Sequence, residues 1–492
     1  MPIVAVDDTD SRERGMCTTY VGARLAERID AAGGRVRRRL LVRLNPAVKH
    51  KTRGNAAVAL HVSGVDAGAA FDLAAATVRE FAAADDPRTS PGVVAADLDA
   101  ADPGGGVTGT PFGSSAEPIP TDVAEFARRA LRCRLSLDEA LELADEHGFR
   151  HAAFGSGGET ETAAVAGRGR IGALAAVGAP AAFDDWTVER ISYRELERCG
   201  TPRDVDVQSL FAAADRGYPT VWDTVDRGTD EAVCVPNAPG PILHGIRGDD
   251  ADACREVAES IASEPIERAA TFLTNQGTDA HLAPGAIGDL RDGAGYRVAG
   301  VVATEPETKR GGHVHVDVAA PDADDRTPRL RCVAFKPTGR FRDRVRALRP
   351  GDRVTVCGEH ELRAVEDGTG DGGADGGGGD GGGGDSGGGD GGGGDGDRPT
   401  ATLKLEKFAV RDLVETEPAV PTCPDCGRSM SSVGRNQGYR CRDCDTDAPG
   451  KVSVPIEREV EPGWYEVPPS ARRHVAKPLV RGGFDAPAHP ER

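Results

Sequence analysis

Four cysteines limit what this chain can fold into more than any other residues do. Cys423 and Cys426 are followed, after fourteen residues, by Cys441 and Cys444. Two Cys-x-x-Cys pairs at that separation place four thiolates on two facing hairpin knuckles, which closes a tetrahedral structural zinc site. Gly427 and Arg442 take the knuckle positions, and no histidine in the interval competes for the metal. Disulfide or redox use is the alternative, whereas a catalytic zinc would need an open ligand position that four cysteines do not leave. The other seven of the eleven cysteines (Cys17, Cys133, Cys199, Cys234, Cys254, Cys332 and Cys357) are scattered singly. That favours a reducing cytoplasm over a disulfide framework. A zinc ribbon by itself implies a macromolecule-binding module and nothing narrower.

The ribbon uses a small part of 492 residues, too many for one hydrophobic core. Pro2 to Val6 reads as a buried strand, and Thr18 to Ala31 as a helix with Val21, Leu25 and Ile29 on one face. Leu40 to Leu44 and Ala56 to Val62 read as strands, Phe71 to Ala84 as a helix, and residues 102 to 120 as a Gly/Pro-rich loop. Ser136 with Glu139 forms a capping box for the next helix. Further α/β pattern, with Ala232 to Val235 and Thr271 to Leu273 as buried strands, runs to about residue 282. Five short strands then follow, beginning at Tyr296, His313, Arg329, Arg353 and Thr400, with one helical stretch from Arg340 to Leu348. They match a small Greek-key barrel of the OB type. The glycine-aspartate run 367–397 is expected to be an unstructured excursion from a hairpin. The chain start lacks the basic and cleavage regions of a signal peptide. Its longest weakly apolar stretch, 171–183, is broken by glycine and proline and is too short to span a bilayer, so no membrane segment and a cytoplasmic location are expected.

Net charge is −19, and eight of the 60 basic residues are lysine. Such acidity either repels nucleic acid or reflects life in concentrated salt, where the screening length falls to about 3 Å at 1 M. The salt reading is preferred, because acidity persists outside the glycine-aspartate run. Nucleic-acid binding would then rest on local arginine contacts, stacking and shape. Two basic stretches suit an RNA backbone: 336–349, with Lys336, Arg340 and Arg342, and the tail with Arg472, Arg473 and Lys477. Intramolecular ion pairing is an equal alternative for both.

The first strand ends in Asp7-Asp8-Thr9-Asp10-Ser11, and Gly15-Met16-Cys17-Thr18-Thr19-Tyr20 leads into the helix. Carboxylates at a strand end hold Mg²⁺, and the N–H groups of a helix start attract phosphate, so together they suit a metal-triphosphate. The plainer reading is loop aspartates with Thr18 or Thr19 as an ordinary N-cap. Cys17 is more simply a buried small residue than a nucleophile. In the loop from Asn45 to Asn55, Lys49 and Lys51 stand close together in a lysine-poor chain. With Arg53 they are placed to neutralise phosphate, against the alternative of a solvated face. Gly167-Arg168-Gly169-Arg170 is glycine-rich and basic but is not a Walker sequence, and close helix packing explains it equally well.

Taken together, these segments resemble the archaeal agmatidine synthetases, which modify the wobble cytidine of the isoleucine tRNA that reads AUA. The matching stretches are 7–11 with 15–20, Arg43-Leu44-Asn45-Pro46 with 51–55, and Gly167-Arg168-Gly169 with 171–178. Pro236-Asn237, Gly245-Ile246-Arg247-Gly248, Thr274-Asn275, the ribbon and Tyr465 to His474 also match. The resemblance implies a multidomain α/β and α+β chain. A kinase-like ATP-binding domain would occupy 1–195, with room for an interruption by part of the ferredoxin-like domain, which would occupy 196–285; an OB fold would occupy 290–412, a zinc ribbon 418–450 and a tail 451–492. It implies ATP, Mg²⁺ and agmatine, with AMP and phosphate as products: the cytidine C2 oxygen is phosphorylated, and the amine of agmatine then displaces phosphate. The family's phosphorylated threonine falls on Thr18, and its acidic positions on Asp7, Asp8 and Asp10, of which Asp7 and Asp8 are assigned to Mg²⁺. Thr9, Ser11, Gly15, Thr19, Lys51, Arg53, Asn55 and Gly169 are expected around the ATP phosphates. No protein partner is expected. A non-enzymatic single-strand-binding factor would explain the barrel and ribbon but leave the acidic strand end without a role; a protein kinase is the other rival.

Overall fold

A computed structural model describes residues 1–13, 15–48, 54–98, 119–155, 167–322, 328–363 and 400–492. Most of the 102–120 loop and the whole glycine-aspartate run lie outside the described residues, as do Lys49, Lys51 and Arg53.

The first 274 residues build one nine-stranded sheet. Its strands are β1 (Ile3–Asp7), β2 (Arg35–Arg43), β3 (Ala56–Ser63), β4 (Gly92–Ala96), β5 (Arg150–Ala153), β6 (Thr187–Tyr193), β7 (Val221–Trp222), β8 (Ile242–Gly248) and β9 (Arg268–Thr274). Their spatial order is β5-β4-β1-β3-β2-β9-β6-β8-β7. The helices are α1 (Thr18–Ala31), α2 (Ala67–Phe81), α3 (Thr121–Ala130), α4 (Leu137–Glu146), α5 (Gly169–Ala182), α6 (Val207–Gly217) and α7 (Ala251–Glu259). Side-chain alternation explains the layering. Ile3 and Ala5 of β1 enter a core with α3, α4 and α5, while Val4 and Val6 enter a second core with α1 and α2. A strand buried on both faces reads as an unbroken apolar run, as 3–6 does. Every pairing in the sheet is antiparallel except at the seam, where β2 meets β9 in parallel through Leu40↔Leu273 and Leu41↔Thr274. Beyond the seam, α6 and α7 cover one face of β6–β8 around Leu210, Ile246 and Val257.

One apolar stretch forms a buried helix, and one expected strand does not form. Residues 171–183, interrupted by glycine and proline in the sequence, form the deeply buried helix α5, with Pro180 confined to its last turn. Ala232 to Val235 is a turn, held by the Cys234 N–H donating to the Thr224 carbonyl at 3.1 Å, and its apolar side chains simply fill the α6–α7 core.

From residue 282 a second sheet begins with β10 (Leu282–Gly285), β11 (Ala294–Val302), β12 (Glu307–Thr308), β13 (Val314–Ala319), β14 (Arg329–Ala334), β15 (Arg353–Arg363) and β16 (Thr400–Asp412). Strands β11, β13, β14, β16 and β15 pair in that order, and β15 pairs back onto β11, closing a five-stranded barrel. The short helix α8 (Phe341–Arg346) lies between β14 and β15 and plugs the barrel with Phe341 and Val345. After it come the ribbon strands β17 (Thr416–Ala419), β18 (Ser431–Ser432), β19 (Tyr439–Arg440), β20 (Asp447–Ala448) and β21 (Val452–Pro455). The tail is ordered rather than trailing: β22 (Gly463–Glu466) adds to β16, and β23 (Ala488–His489) adds to β22.

That tail ties the barrel to the first sheet through buried charge. Arg472 is 5 % exposed and bonds Asp223, from the first sheet, at 2.8 Å and Glu466 at 2.9 Å. Arg481 bridges Asp185 and Asp249, and Lys407, fully buried in the barrel, bonds Asp279 at 2.7 Å. Arg472 and Arg473, expected to face RNA, are instead occupied by Asp223, Glu359, Glu406 and Glu466. Arg340 is likewise taken by Asp226 and Glu491. Lys477 lends its backbone N–H to Asp279 and sits half-buried beside Phe484, whereas Lys336 is exposed and Arg342 bonds the Gly312 carbonyl at 2.5 Å. Arg472→Met would strand two buried carboxylates, at a cost of about 3–5 kcal/mol. A clearly lowered thermal midpoint is the expected result, and an unchanged one would mean that the tail does not tie the two bodies.

Candidate active site

Sequence dictates an abrupt stop to β1. After Asp7 the chain enters the left-handed region at Asp8 (φ 56°) and again at Gly15 (φ 85°) and Met16 (φ 62°). Non-glycine residues held at such angles cost of order 1 kcal/mol or more each and gather at functional turns. The intervening loop closes on itself, Ser11 N–H donating to the Gly15 carbonyl at 2.8 Å. Segment 83–90 then braces it: Ser11 Oγ donates to Asp86 at 2.5 Å, Thr89 Oγ1 to the Asp10 carbonyl at 2.6 Å, and Ser90 N–H to Asp8 Oδ2 at 3.2 Å. Helix α1 starts at Thr18 with Cys17 as N-cap and no side-chain cap, so neither threonine serves as the ordinary cap. Thr18 Oγ1 instead lies 3.1 Å from Thr9 Oγ1, which donates to it, and Thr19 Oγ1 lies 3.0 Å from Cys17 Sγ.

The N-terminus of α5 supplies the other wall. A Cβ on Gly172 would stand 1.9 Å from Asp7 Oδ2, and one on Gly169 would collide with the Asp7 and Ser90 carbonyls. Glycine is therefore required for α5 to reach the strand end, which is the close-packing reading of this motif. Next to Gly169, Arg168 reaches in, with Nε 2.9 Å from Asp8 Oδ2. Burial dominates the electrostatics, pushing Asp7 well above the usual carboxylate range. Asp8 is pushed up to about 7 by burial, with Arg168 opposing and Asp10 reinforcing the shift.

The structure thus brings Asp7, Asp8, Thr9, Asp10, Ser11, Gly15, Thr18, Thr19 and Gly169 together at one strand end. Asn55 lies in the neighbouring loop, its side-chain amide donating to the Asn45 carbonyl at 2.9 Å. Sequence reasoning assigns no role to Asp86, Arg88, Thr89 or Ser90; the run Asp86-Pro87-Arg88-Thr89-Ser90-Pro91-Gly92, polar and rigid between a helix and a buried strand, is the signal that marks them, whereas Arg168 sits in the glycine-rich basic motif.

The cysteines converge as their spacing requires, with all four Sγ atoms within 4.8 Å of one another; among the described residues no other set of three or more His, Cys, Asp or Glu ligand atoms does so. The two knuckles repeat one pattern: Gly427 N–H donates to the Cys423 carbonyl and Asp445 N–H to the Cys441 carbonyl. Asp445 (φ 52°), not Arg442, is the counterpart of Gly427 (φ 72°).

Models of three domain families match the chain: the TiaS TCKD domain over residues 3–68, the TiaS FLD domain over 167–281 and the TiaS C-terminal zinc ribbon domain over 420–460. A TiaS from Haloquadratum walsbyi, the 2-agmatinylcytidine synthetase of isoleucine tRNA 2, is 47 % identical over 526 residues, covering 100 % of both chains. The chain belongs to the TiaS family. The crystal structure of apo TiaS, an agmatidine synthetase of the same tRNA species, superposes with a TM-score of 0.76 at 36 % identity, covering 100 % of both chains. That of a TiaS complex with isoleucine tRNA 2, AMPCPP and agmatine gives 0.74 at 34 % identity, covering 100 % of this chain and 99 % of that one. TiaS similarity therefore spans the acidic strand end, the barrel and the ribbon alike.

Two outcomes follow from this geometry. Because folding raises the Asp8 pKa, the folded protein holds a proton that the unfolded chain releases from about pH 4 upward, so stability declines as pH rises from there to about 7. In Mg²⁺-free buffer, Asp8→Asn should remove up to about 4 kcal/mol of that decline. Thermal midpoints at pH 5 and pH 8 check this, and parallel curves for both proteins would contradict it. Chelating the zinc should melt the ribbon while sparing the barrel, read by hydrogen exchange; ribbon amides that stay protected would rule out a structural metal.

Proposed function

We propose that this chain is an ATP-dependent ligase that joins agmatine to C2 of the wobble cytidine of the AUA-reading isoleucine tRNA. The observation that carries this reading is that the Asp7–Thr18 turn, braced by α5, belongs to a chain related end to end to 2-agmatinylcytidine synthetases of isoleucine tRNA 2. A binding factor has no use for a buried, strained carboxylate cluster, and a protein kinase has none for the barrel and ribbon.

The residues fit a metal-triphosphate. Mg²⁺ is commonly held by one or two carboxylates with phosphate oxygens and water completing its shell, rather than by a full protein cage. Asp7 and Asp8 are adjacent and buried, and both are poorly tolerated as anions without added positive charge. In this reading they hold the cation, which would neutralise phosphate charge. Asp10 helps to orient the nucleophile, and Thr18 receives phosphate at the helix start, where free N–H groups face it. Thr9 supports the Thr18 hydroxyl, and Lys51 and Arg53 contact phosphate. The cytidine C2 oxygen leaves as phosphate once phosphorylated, and the agmatine amine takes its place.

Strand order supports the division into modules. The five-stranded antiparallel half around β1 forms the kinase-like body, and β6-α6-β7-β8-α7-β9, ordered β9-β6-β8-β7, follows the split βαβ pattern of a ferredoxin-like domain. We place the first strand of that domain at Thr187–Tyr193, ahead of residue 196. The barrel serves as the OB fold, and it holds RNA together with the ribbon and with Lys336 and Arg342. Among the described residues no helix is long and apolar enough to cross a membrane; an enzyme of tRNA belongs in the cytoplasm.

Incubation in molar KCl with Mg²⁺, ATP, the tRNA transcript and radiolabelled agmatine should label the RNA, and changing the wobble C to U should abolish it. Absence of label with folded, zinc-loaded protein would reject the reading.

A further inference from the structure

One group of charged residues near the turn has no part in the mechanism above. Glu189 of β6 lies buried in the sheet and meets two arginines: Arg43 at the end of β2, with Nη2 at 3.2 Å, and Arg247 of β8, with Nε at 3.4 Å. The two guanidinium groups outweigh the effect of burial and hold the carboxyl below the usual range. Arg43 is fixed further by its Nε donating to Gln276 Oε1 at 2.9 Å, and its backbone is held by Asn275 from both sides. Gly245 makes room for the group, since a Cβ there would stand 3.0 Å from Glu189 Oε1. Two guanidinium groups thus share one carboxylate, leaving one positive charge over. Nearby Asp223 balances part of it, since Arg472 is itself shared between Asp223 at 2.8 Å and Glu466 at 2.9 Å. Arg247 stays 24 % exposed, and its terminal nitrogens bond nothing else among the described residues.

Three contacts place this cluster beside the Asp7–Thr18 turn. Arg43 is followed by Leu44, whose Cδ1 lies against Gly172, the residue that touches Asp7. Buried Tyr193 of β6 meets Tyr20 of α1 edge to face, with ring centroids 5.5 Å apart. The 234–240 loop begins at Cys234, whose carbonyl accepts from Gly245 N–H, and at Pro239 it presses on Gly15. Carboxylates on one side and a partly exposed guanidinium fork on the other are what a metal-bound polyphosphate requires, since each pole then meets its opposite.

We propose that Arg247 and Arg43, set in place by Glu189, form a phosphate clamp that binds the polyphosphate chain of ATP across from the Asp7–Asp8 cation site. This rests on the ATP-dependent ligase reading. A tie across the β2–β9 seam is the structural role that the same residues would otherwise have.

The test measures binding of ATP, adenosine and tRNA transcript to the full-length protein and to Arg247→Ala, with thermal unfolding confirming that both are folded. ATP should bind the variant about ten- to hundredfold more weakly, with adenosine and tRNA each changed less than about twofold. Arg247→Lys, which keeps the charge but loses the fork, should fall between wild type and Arg247→Ala. In turnover, KM for ATP should rise more than kcat falls. Unchanged ATP affinity would overturn the proposal, as would equal losses for ATP and adenosine, which indicate a structural role. Loss confined to tRNA would move the bound phosphate to the RNA backbone and overturn it as well. Wild-type protein that binds no ATP would instead bring down the ligase reading itself.

Discussion

Buried pairing of arginine with carboxylate holds this molecule's bodies in place. A chain with net charge −19 has no shortage of anions, and in strong salt an exposed ion pair contributes little. The pairs that join the sheet to the barrel are therefore taken out of solvent. Arg472 spans two acids, and Lys407 reaches Asp279 beneath Trp464 and Phe484; between the barrel and the segment after the ribbon, Asp352 meets Arg458 with both nearly inaccessible. Each such pair costs desolvation and must be completed by further hydrogen bonds. Asp352 shows the completion, taking N–H groups from Arg349 and Val414 in addition to its arginine.

The turn after β1 follows the opposite rule. There the acids are buried without full compensation: Asp8 has one arginine, while Asp7 has mainly the Asp8 N–H at 2.6 Å. The backbone is strained at Asp8 and Met16, and glycine allows α5 to press against the carboxylates. Structural seams with satisfied charge and a turn with unsatisfied charge are two uses of burial in one chain, and the contrast between them singles out the candidate site.

Much of this is legible from the residues, because it depends on local pattern. The run 3–6, the Val21-Leu25-Ile29 stripe, the Ser136 cap and the cysteine spacing each act over a few residues, and each forms as the pattern predicts. The gathering of residues 7–19 around one turn is legible for the same reason. What escapes the sequence is long-range. Nothing local distinguishes an arginine destined for RNA from one destined for Asp223, 249 residues away in sequence. The glycines of α5 leave close packing and phosphate contact equally open until the strand end they pack against is known. The seam at β2–β9 joins residues 40 and 273 through two backbone pairings, a register that no pattern of period two can specify.

The order of the strands also bears on how the chain is made. Strand β9 is inserted between β2 and β6, so the first sheet stays open at its middle until residue 274 has left the ribosome. Residues further downstream add more ties: Glu491 reaches Arg340, and Arg492 reaches Asp215. N-terminal segments that fold early during synthesis therefore wait, with their seam edges exposed, for partners encoded far downstream. A product ending before residue 463 would carry the Asp7–Thr18 turn but lack the tail strands that pair with the barrel. The arrangement of the two bodies thus depends on pairs that form late, since Arg472 and Arg481 can engage the first sheet only after the barrel has been made.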